Sequence, residues 1–501
     1  MRRTERRVAA TPPGTMARDG FEDGVRVITS QSYVAPPHVH GHFRFTSTRV
    51  TLLALCLWCA TLLGEPHHSL SPMRWLAVAL FVVVCFRGAH GVVVFSVCVL
   101  MGVAGGASAW NVEVVESSVE CEGIAIVRTD PSPAFSGIRL VIELSGQRYS
   151  ATAFGVPAGR LARRSAGESV SVKGMCAPLR GNFERSDRIR HITGRMSVSW
   201  ASENFSEGAP LLRAANRMRA SMENGVRDMT FETRSLFMGL VVGDDRHQPR
   251  DMVQRFRQSG LSHLCAASGQ NVAYLLALAS PLLKKRSPRV RWLLTLAIIA
   301  WFVVLTRAEP SVLRAGWMAA AVATNAVRRA PMNARTVLSL SVMCLLVIDP
   351  MLAWSVGFSL SVGATAGLAW LSAPLGKVVG TRGVLASTLA AQIGTFPVSL
   401  AVFGGVPVVS LVANPLALPV AGAVMTLGLP VSLAAAAVPV LVSPVSFIMS
   451  VPVMWVDGVA RVASSVSPTG YGNTALWLLV ALVVCARWWV KRARRLTSVA
   501  G

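Results

Sequence analysis

The sequence predicts a polytopic α-helical membrane protein with a small β-rich domain inserted near its N-terminal end. Of its 501 residues, 52% are hydrophobic and only 15% are charged, which is typical of a membrane protein rather than of a soluble core. We expect about 12 membrane spans, of which the shorter ones are short enough to be re-entrant. Residues 111–205 differ, because apolar and polar residues alternate there as they do in β-strands.

The N-terminal region begins with a tail, residues 1–45, that is rich in Arg, Pro and Gly and is predicted to be disordered and cytoplasmic. Apolar segments follow near 47–64, 73–86 and 91–109, within a helical region assigned to residues 46–110. If the basic tail stays inside, three crossings place residue 110 outside. The β-rich domain is therefore expected to be external, as a small barrel or a sandwich.

Basic residues gather in the second half of this β-rich domain. Between 160 and 195, nine Arg and Lys minus three Asp and Glu leave an excess of six positive charges. Such an excess fits a surface that contacts nucleic-acid phosphates, and it fits a solvated loop equally well. The candidate DNA-binding residues are Arg160, Arg163, Arg164, Lys173, Arg180, Arg185, Arg188 and Arg190.

Two of the nine cysteines, Cys121 and Cys176, lie near the two ends of the β-rich domain, whereas the others lie in or beside apolar segments. An external location favours a disulfide between them. Closing a loop of this length would stabilise the domain by about 4 kcal/mol on the chain-entropy estimate.

Residues 206–258 have apolar residues at helical spacing, with Arg and Asp between them. This pattern predicts amphipathic helices that lie along a surface rather than cross the membrane. Gly243, Asp244 and Asp245 are predicted to form a turn between two of these helices.

A second helical region is assigned to residues 259–490. Its predicted spans lie near 264–284, 291–306, 311–327, 335–348, 352–374, 384–403, 407–428, 430–449 and 474–490. The basic loops between these spans, and the basic tail 491–501, then fall on the same side as the N-terminal tail. Both termini are therefore expected in the cytoplasm, with the protein in the plasma membrane.

Polar residues interrupt the apolar segments of this region, starting with the stretch GLSHLCAASGQNV at 260–272. An arginine in the membrane interior costs about 2.5–3.5 kcal/mol on insertion scales, so Arg314 should face protein or a watery cavity. The alternative for each polar residue is a position at a helix end or an internal hydrogen bond. The candidate pore-lining residues are His263, Ser268, Gln270, Asn271, Arg307, Glu309, Arg314 and Asn414, with Arg307 and Glu309 close enough in sequence to pair.

Several functional classes are not supported by the sequence. The formal net charge of +24 suits nucleic acid or anionic lipid as a partner, but arginine-rich loops of a membrane protein give the same balance. His38, His40 and His42 have the spacing of metal ligands, yet they lie in the predicted disordered tail, so no metal site and no cofactor are expected. No phosphate-binding loop of the form G-x-x-x-x-G-K-[ST] occurs, and no nucleophile–base pair stands out, so we do not expect an enzyme.

Five blocks of sequence, in order, resemble the ComEC family of competence proteins, which are bacterial channels for DNA uptake. They are the stretch LFMGLVVGDD before residue 246, Gly260–Val272 with its Gly-Leu-Ser-His-Leu and Ser-Gly elements, PSVLRAGWMA at 310–319, residues 349–368 and residues 394–420. The resemblance is strong over 225–430 and looser over 47–205. It implies an OB-fold-like external domain at 111–205 and a competence-type channel domain at 259–490.

The chain departs from the family pattern in two places. Many members carry a histidine where this chain has Asn271, so a role that depends on titration at this position is not implied. Many members also continue into a metallo-β-lactamase-like domain, whereas this sequence stops at residue 501. We therefore expect nuclease chemistry to be absent or supplied by another protein.

The resemblance implies a membrane channel that passes single-stranded DNA into the cell during natural transformation. Its implied partners are single-stranded DNA, membrane lipid, an external DNA receptor of the ComEA type, and a cytoplasmic translocation ATPase of the ComFA type or another motor. The oligomeric state stays open. An alternative of another class is a transporter of a lipid or a small anionic solute, or a remnant without DNA transport.

Overall fold

The computed structural model describes residues 47–65, 89–112, 114–134, 136–181, 183–265, 268–328, 332–379, 383–468 and 470–497. All of them belong to one compact unit that extends from Phe45 to Gly501. The predicted N-terminal tail with its three histidines, the predicted segment 73–86 and the last residues of the C-terminal tail lie outside the described residues.

Helices make up most of the described chain. In chain order they are α1 (Ser47–Leu63), α2 (Ala89–Trp110), α3 (Gly155–Leu161), α4 (Glu184–Ile189), α5 (Pro210–Gly225), α6 (Phe231–Val242), α7 (Arg250–Gln258), α8 (Ser262–Cys265), α9 (Gly269–Lys284), α10 (Pro288–Leu305), α11 (Pro310–Arg328), α12 (Ala334–Ile348), α13 (Val356–Val379), α14 (Val384–Phe403), α15 (Ser410–Ala437), α16 (Val442–Ser465) and α17 (Tyr471–Thr497). Two short 3-10 helices, Pro350–Trp354 and Pro439–Leu441, precede α13 and α16.

Seven of the described helical segments are long and apolar enough to cross a membrane. They are Val93–Trp110, Pro288–Leu305, Val356–Val379, Val384–Phe403, Ser410–Ala437, Pro439–Ser465 and Tyr471–Lys491. Two shorter helices, α1 and α12, are also apolar. The protein is therefore a multi-pass, predominantly helical membrane protein.

The expected count of about twelve spans is not supported by the described residues. Helix α9 has only 16 residues, and at 1.5 Å per residue it is shorter than a bilayer core of about 30 Å. Helix α11 has 19 residues, but Arg314 interrupts its apolar run. The sequence predicts both as spans because their apolar residues alone are considered. The short length of α9 and the charge inside α11 leave them out of the helices that are long and apolar enough to cross.

The division between two predicted spans at residue 430 is wrong. Helix α15 continues through Pro415, Pro419 and Pro430 to Ala437, and the chain turns only at the 3-10 helix Pro439–Leu441. A proline removes one backbone hydrogen bond, but in a membrane protein neighbouring helices can satisfy the freed carbonyl. Proline alone therefore did not mark the end of this helix.

The β-rich domain is a small closed barrel. Its strands are β1 (Val119–Val127), β2 (Ser132–Ala134), β3 (Gly137–Leu144), β4 (Gln147–Phe154), β5 (Ser169–Ala177) and β6 (Gly194–Ser206). They follow the order β1-β5-β6-β4-β3-β2, and a second pairing of β1 with β3 closes five of them into a ring. The alternation of polar and apolar residues therefore gave the correct class of domain, and the structure selects the barrel over the sandwich.

The connections identify the kind of barrel. Strands β4 and β6 pair in parallel, and the other neighbouring strands pair antiparallel. Helix α3 lies between β4 and β5 and buries Ala158 and Leu161 in the barrel core. A five-stranded Greek-key barrel is the architecture of an OB-fold, so this domain is OB-like.

The predicted disulfide is confirmed. Cys121 on β1 and Cys176 on β5 are bonded, with their Cα atoms 5.9 Å apart. Because the two strands pair antiparallel with Cys121 opposite Gly174, the bond joins two positions that the barrel already brings together.

The helices after the barrel are more deeply buried than the surface helices that the sequence predicts. Every residue of α6 from Ser235 to Val242 is buried, and Phe237 is fully enclosed. Helix α7 keeps the predicted amphipathic character, because it buries Met252 and Phe256 and exposes its charged side. Together with α5, α9, α15 and α16 these helices enclose the largest hydrophobic core of the described chain.

Candidate functional site

An ion cluster joins the barrel to the helices. Asp130, in the loop after β1, accepts hydrogen bonds from Arg307, which lies between α10 and α11, at 3.1 Å from Nε and 3.0 Å from Nη2. Arg219 on α5 lies 3.7 Å from the same carboxylate, and Arg246 after α6 lies 3.8 Å from it. We call Asp130, Arg219, Asp244, Arg246 and Arg307 the junction cluster.

Asp244 is the second carboxylate of the junction cluster. Helix α6 ends at Gly243, which has the left-handed φ of 71° that favours glycine, and the chain then turns so that the Asp244 side chain is buried. Its Oδ2 accepts from Arg219 and from Arg246, each at 2.5 Å. The predicted Gly-Asp-Asp turn is present. Its first aspartate, Asp244, also forms ion pairs with Arg219 and Arg246, which the sequence does not predict.

Both carboxylates of the junction cluster are held in their charged form. Burial alone would raise the pKa of Asp130, but Arg246, Arg307 and Arg219 outweigh it and hold the pKa below its usual value. The pKa of Asp244 is likewise lowered, because the hydrogen bond from Arg246 and the charge of Arg219 outweigh the effect of burial. Removing one partner of a buried ion pair of this kind costs more stability than the intact pair contributes.

Arg307 therefore does not lie where the sequence predicts. It contacts Asp130 and the side chain of Asn216, the latter at 2.6 Å, rather than Glu309, whose side chain is exposed. Arg307 and Ala308 both have a left-handed backbone, with φ of 60° and 56°. This uncommon backbone conformation occurs at the residue whose guanidinium binds Asp130 of the barrel.

Arg314 lies about one turn inside α11, on the side of the helices that faces the barrel. It is only 6% exposed; its Nε donates to Ser361 Oγ at 2.8 Å, and its Nη1 contacts Met318 Sδ at 3.1 Å. Among the described residues, no carboxylate lies within ion-pair distance of this guanidinium. A buried positive charge without a matching carboxylate is costly, and charged residues inside membrane domains commonly mark substrate or ion pathways.

The guanidinium of Arg314 also lies beside the first residue of α9. A Cβ atom added to Gly269 would come within 3.0 Å of Arg314 Nη2 and 2.9 Å of Ala315 Cβ. Only glycine lets the two helices approach this closely. The N-terminal end of a helix carries partial positive charge, so the arginine and the helix end make this region electropositive.

Asn271 is buried and hydrogen-bonded to the end of α6. It is 3% exposed, and its Nδ2 donates to the carbonyl oxygens of Leu240 and Val241 at 3.0 and 3.3 Å. Its Oδ1 accepts from Ser268 Oγ at 3.0 Å. These bonds tie the start of α9 to the end of α6, so Asn271 has no polar atom left over for a solvated path.

The other predicted lining residues separate into exposed and buried ones. His263 on α8 and Gln270 on α9 are exposed. Asn414 on α15 is 6% exposed, and its Oδ1 has no hydrogen-bond partner in the described part of the chain. Gln392 on α14 is also buried, and its Nε2 donates to Ser410 Oγ at 2.5 Å.

The two best-defined cavities in the described part of the structure are small. One, of about 20 Å³, lies among Glu223, Phe231 and Asp244, and the other, of about 50 Å³, lies beside Trp110 and His191. Volumes of this size hold one or a few water molecules. Neither of these two cavities is the continuous wet path that the polar residues suggest.

The candidate DNA-binding residues of the barrel fall into two groups. Five are engaged with nearby carboxylates: Arg160 with Glu203, Arg164 with Glu168, Lys173 with Glu120 and Glu122, Arg185 with Glu65, and Arg188 with Glu184. Arg164 also stacks over Phe205 at 3.8 Å. The other three, Arg163, Arg180 and Arg190, are exposed and have no ion-pair partner among the described residues.

Comparison with known proteins places the chain in a family. The family model described as Competence protein matches residues 240–495. The matched region starts within the last turn of α6 and includes the start of α9 and Arg314. The chain belongs to the Competence protein family. The resemblance to ComEC proteins that the sequence blocks indicated is thereby confirmed.

One curated relative of this Competence family protein is ComE operon protein 3 of Bacillus subtilis (strain 168). The two are 28% identical over 191 residues, which is 38% of this chain and 25% of the relative. The alignment thus spans about a quarter of the length of that relative. No solved structure matches the chain.

Proposed function

We propose that this Competence family protein passes single-stranded DNA across the bacterial plasma membrane during DNA uptake. Family membership supports a role in competence, and the observation that carries the transport role is Arg314. A DNA strand is a polyanion, and a helical membrane domain that must pass it needs positive charge that is not already neutralised by carboxylates. Arg314, beside the positive end of α9, supplies such a charge.

The proposed orientation places the barrel outside and both termini in the cytoplasm. The barrel contacts the helices at Glu65, Arg307 and Asp349, through Arg185, Asp130 and His191. Helix α10 leads from this end to its basic opposite end, where Lys285 and Arg286 lie in the loop before it and Lys284, Arg289 and Arg291 lie in the adjoining ends of α9 and α10. Because basic loops favour the cytoplasmic side, the opposite end, with the barrel, is assigned to the outside.

In this proposal the chain is a conduit and not an enzyme. The energy for movement would come from a separate cytoplasmic ATPase of the ComFA type or another motor, and DNA would arrive from an external receptor of the ComEA type.

The proposal is tested by deleting the gene and measuring DNA that is bound at the cell surface separately from DNA that has become resistant to external nuclease. We expect the deletion strain to bind labelled DNA normally and to lose the nuclease-resistant fraction. Complementation with the wild-type gene should restore that fraction. A deletion strain that internalises DNA at the wild-type level contradicts the proposal.

A transporter of a small anion is the second candidate, and Arg314 would serve it as well, because this buried guanidinium has no carboxylate partner among the described residues. A deletion strain with normal DNA uptake, together with anion flux in vesicles that contain the purified protein, would support this candidate instead.

A further inference from the structure

The outer surface of the barrel has two faces of opposite charge. On the first, Glu120 and Glu122 of β1 are exposed, and both contact Lys173 of β5, at 3.2 and 3.4 Å. Two carboxylates and one ammonium leave this face with one net negative charge. Lys173 is therefore poorly placed to contact DNA.

The second face is formed by β3, β4 and β6. Thr152 of β4 lies opposite Arg139 of β3 and beside Ser197 of β6, and Ser150 lies beside Arg195. These side chains point outward, because the alternate positions, including Ala151, Ala153 and Met196, lie in the barrel core. We call this surface the arginine face; its cations are Arg128, Arg139, Arg148 and Arg195.

The arginine face has more cations than carboxylates. Glu143 accepts from both Arg128 and Arg148, at 2.8 and 3.3 Å, and Asp187 lies 4.0 Å from Arg195. Arg139 is exposed and has no carboxylate partner among the described residues. Four arginines against two carboxylates leave two net positive charges, with Arg139 as the cation that is free to bind an anion.

The other groups on the arginine face suit a single nucleic-acid strand. Ser150, Thr152 and Ser197 offer hydroxyl groups next to the arginines. Phe154, two residues beyond Thr152 on the same side of β4, is 53% exposed. Arginines bind phosphates, and an exposed ring stacks on an unpaired base, which a double helix does not present.

We propose that the arginine face, with the exposed Arg139 and Phe154 at one end of it, is the surface on which this protein binds single-stranded DNA. The proposal rests on the proposed function and names the surface that receives the substrate. It replaces most of the candidates chosen from sequence, because those residues contact carboxylates at other positions on the barrel. A strand bound here lies on the domain that the junction cluster attaches to the helices.

The test measures binding of a fluorescein-labelled oligo-dT to the full-length protein in nanodiscs of zwitterionic lipid, as a function of salt. The variants are Arg139→Ala with Arg195→Ala, and separately Phe154→Ala. Arg286→Ala is the control for a lost positive charge, because Arg286 is also exposed and has no ion-pair partner among the described residues, but lies between α9 and α10 rather than on the barrel. Retention of the Cys121–Cys176 bond, measured by thiol labelling, checks that the barrel of each variant is folded.

We expect the double arginine variant to bind at least about tenfold more weakly near 0.1 M salt and its salt slope to fall by about 1.4, or about 0.7 for each lost phosphate contact. Phe154→Ala should weaken binding about fivefold or more, with the salt slope unchanged. Arg286→Ala should bind like the wild type.

Two results would overturn the proposal. In the first, the wild type binds oligo-dT and the arginine-face variants bind equally well; the surface is then wrong while the proposed function stands. In the second, the wild type does not bind oligo-dT at low salt, or prefers a duplex; the barrel is then not a receiver of single strands. The nuclease-resistance assay on the deletion strain decides separately whether the proposed function fails as well.

Discussion

Asp130 and Arg307 form a two-point ion pair, with Arg307 Nε 3.1 Å and Nη2 3.0 Å from the two carboxylate oxygens, although 177 residues separate them in the chain. One residue belongs to the barrel and the other to the loop between two helices of the membrane domain. The backbone N–H of Ala166 also donates to Asp130 at 2.8 Å. This carboxylate is therefore one of the points at which the barrel is fixed to the helices, beside Arg185–Glu65 and His191–Asp349.

Replacing Asp130 by Asn should destabilise the protein markedly. The substitution keeps the size of the side chain but leaves Arg219, Arg246 and Arg307 with one carboxylate fewer in a buried position. Removing one partner of a buried ion pair costs about 3–5 kcal/mol. The midpoint of thermal unfolding of the purified protein measures the loss, with Arg163→Ala as the control. An unchanged midpoint for Asp130→Asn would show that the junction cluster does not hold the barrel.

The contribution of Asp130 to stability should depend on pH in the acid range. Its pKa is lowered in the folded protein and is about 3.9 in an unfolded chain. The ion pair therefore stabilises the protein fully above about pH 4 and loses this effect as the pH falls further through the folded pKa. The difference in unfolding midpoint between wild type and Asp130→Asn should be constant from pH 7 to 5 and should shrink between pH 4 and 3. A difference that stays the same down to pH 3 contradicts the assignment.

Reduction of the Cys121–Cys176 bond should destabilise the barrel more than the helices. The bond closes a segment with a sequence separation of 55, for which the chain-entropy estimate is about 4 kcal/mol. Limited proteolysis before and after reduction measures the effect, with cleavage expected first in the 119–206 region. If reduced protein resists the protease as well as oxidised protein does, the bond does not limit the stability of the barrel.

Substitution of Asn271 by Ala should lower stability, whereas substitution of the adjacent Gln270 should not. Loss of Asn271 leaves the carbonyls of Leu240 and Val241 without its amide, at a cost of about 1–3 kcal/mol. Gln270 is exposed and serves as the matched control. Thermal unfolding of the two variants side by side makes the comparison. If the two variants unfold at the same midpoint, the hydrogen bonds of Asn271 do not stabilise the fold, and Asn271 remains a candidate to line a path.

The sequence predicted those parts of the structure that depend on local pattern. The alternation in residues 111–205 predicted the strands, and the isolated positions of Cys121 and Cys176 in that region predicted their bond. The apolar segments predicted most of the long helices, although hydropathy alone did not show that α15 passes through Pro430.

The contacts that the sequence could not predict join distant segments. Nothing near Asp130 in the sequence indicates Arg307, Arg219 or Arg246 as partners, because three separate segments of chain bring them to it. Similarly, the charge excess of 160–195 located a basic region, but only the strand register shows that Arg139 and Arg195 share a face that Lys173 does not. Pairing between segments, rather than composition, decides which charges stay free.

The most direct test of the transport proposal is DNA uptake by cells that carry Arg314→Met. Methionine fills a similar space without charge, and since the buried guanidinium has no carboxylate partner among the described residues, its removal should leave the unfolding midpoint unchanged or slightly raised. We predict a normal amount of the variant in the membrane, normal surface-bound DNA, and at least a tenfold lower nuclease-resistant fraction. Wild-type internalisation by a stably inserted Arg314→Met variant would contradict the account.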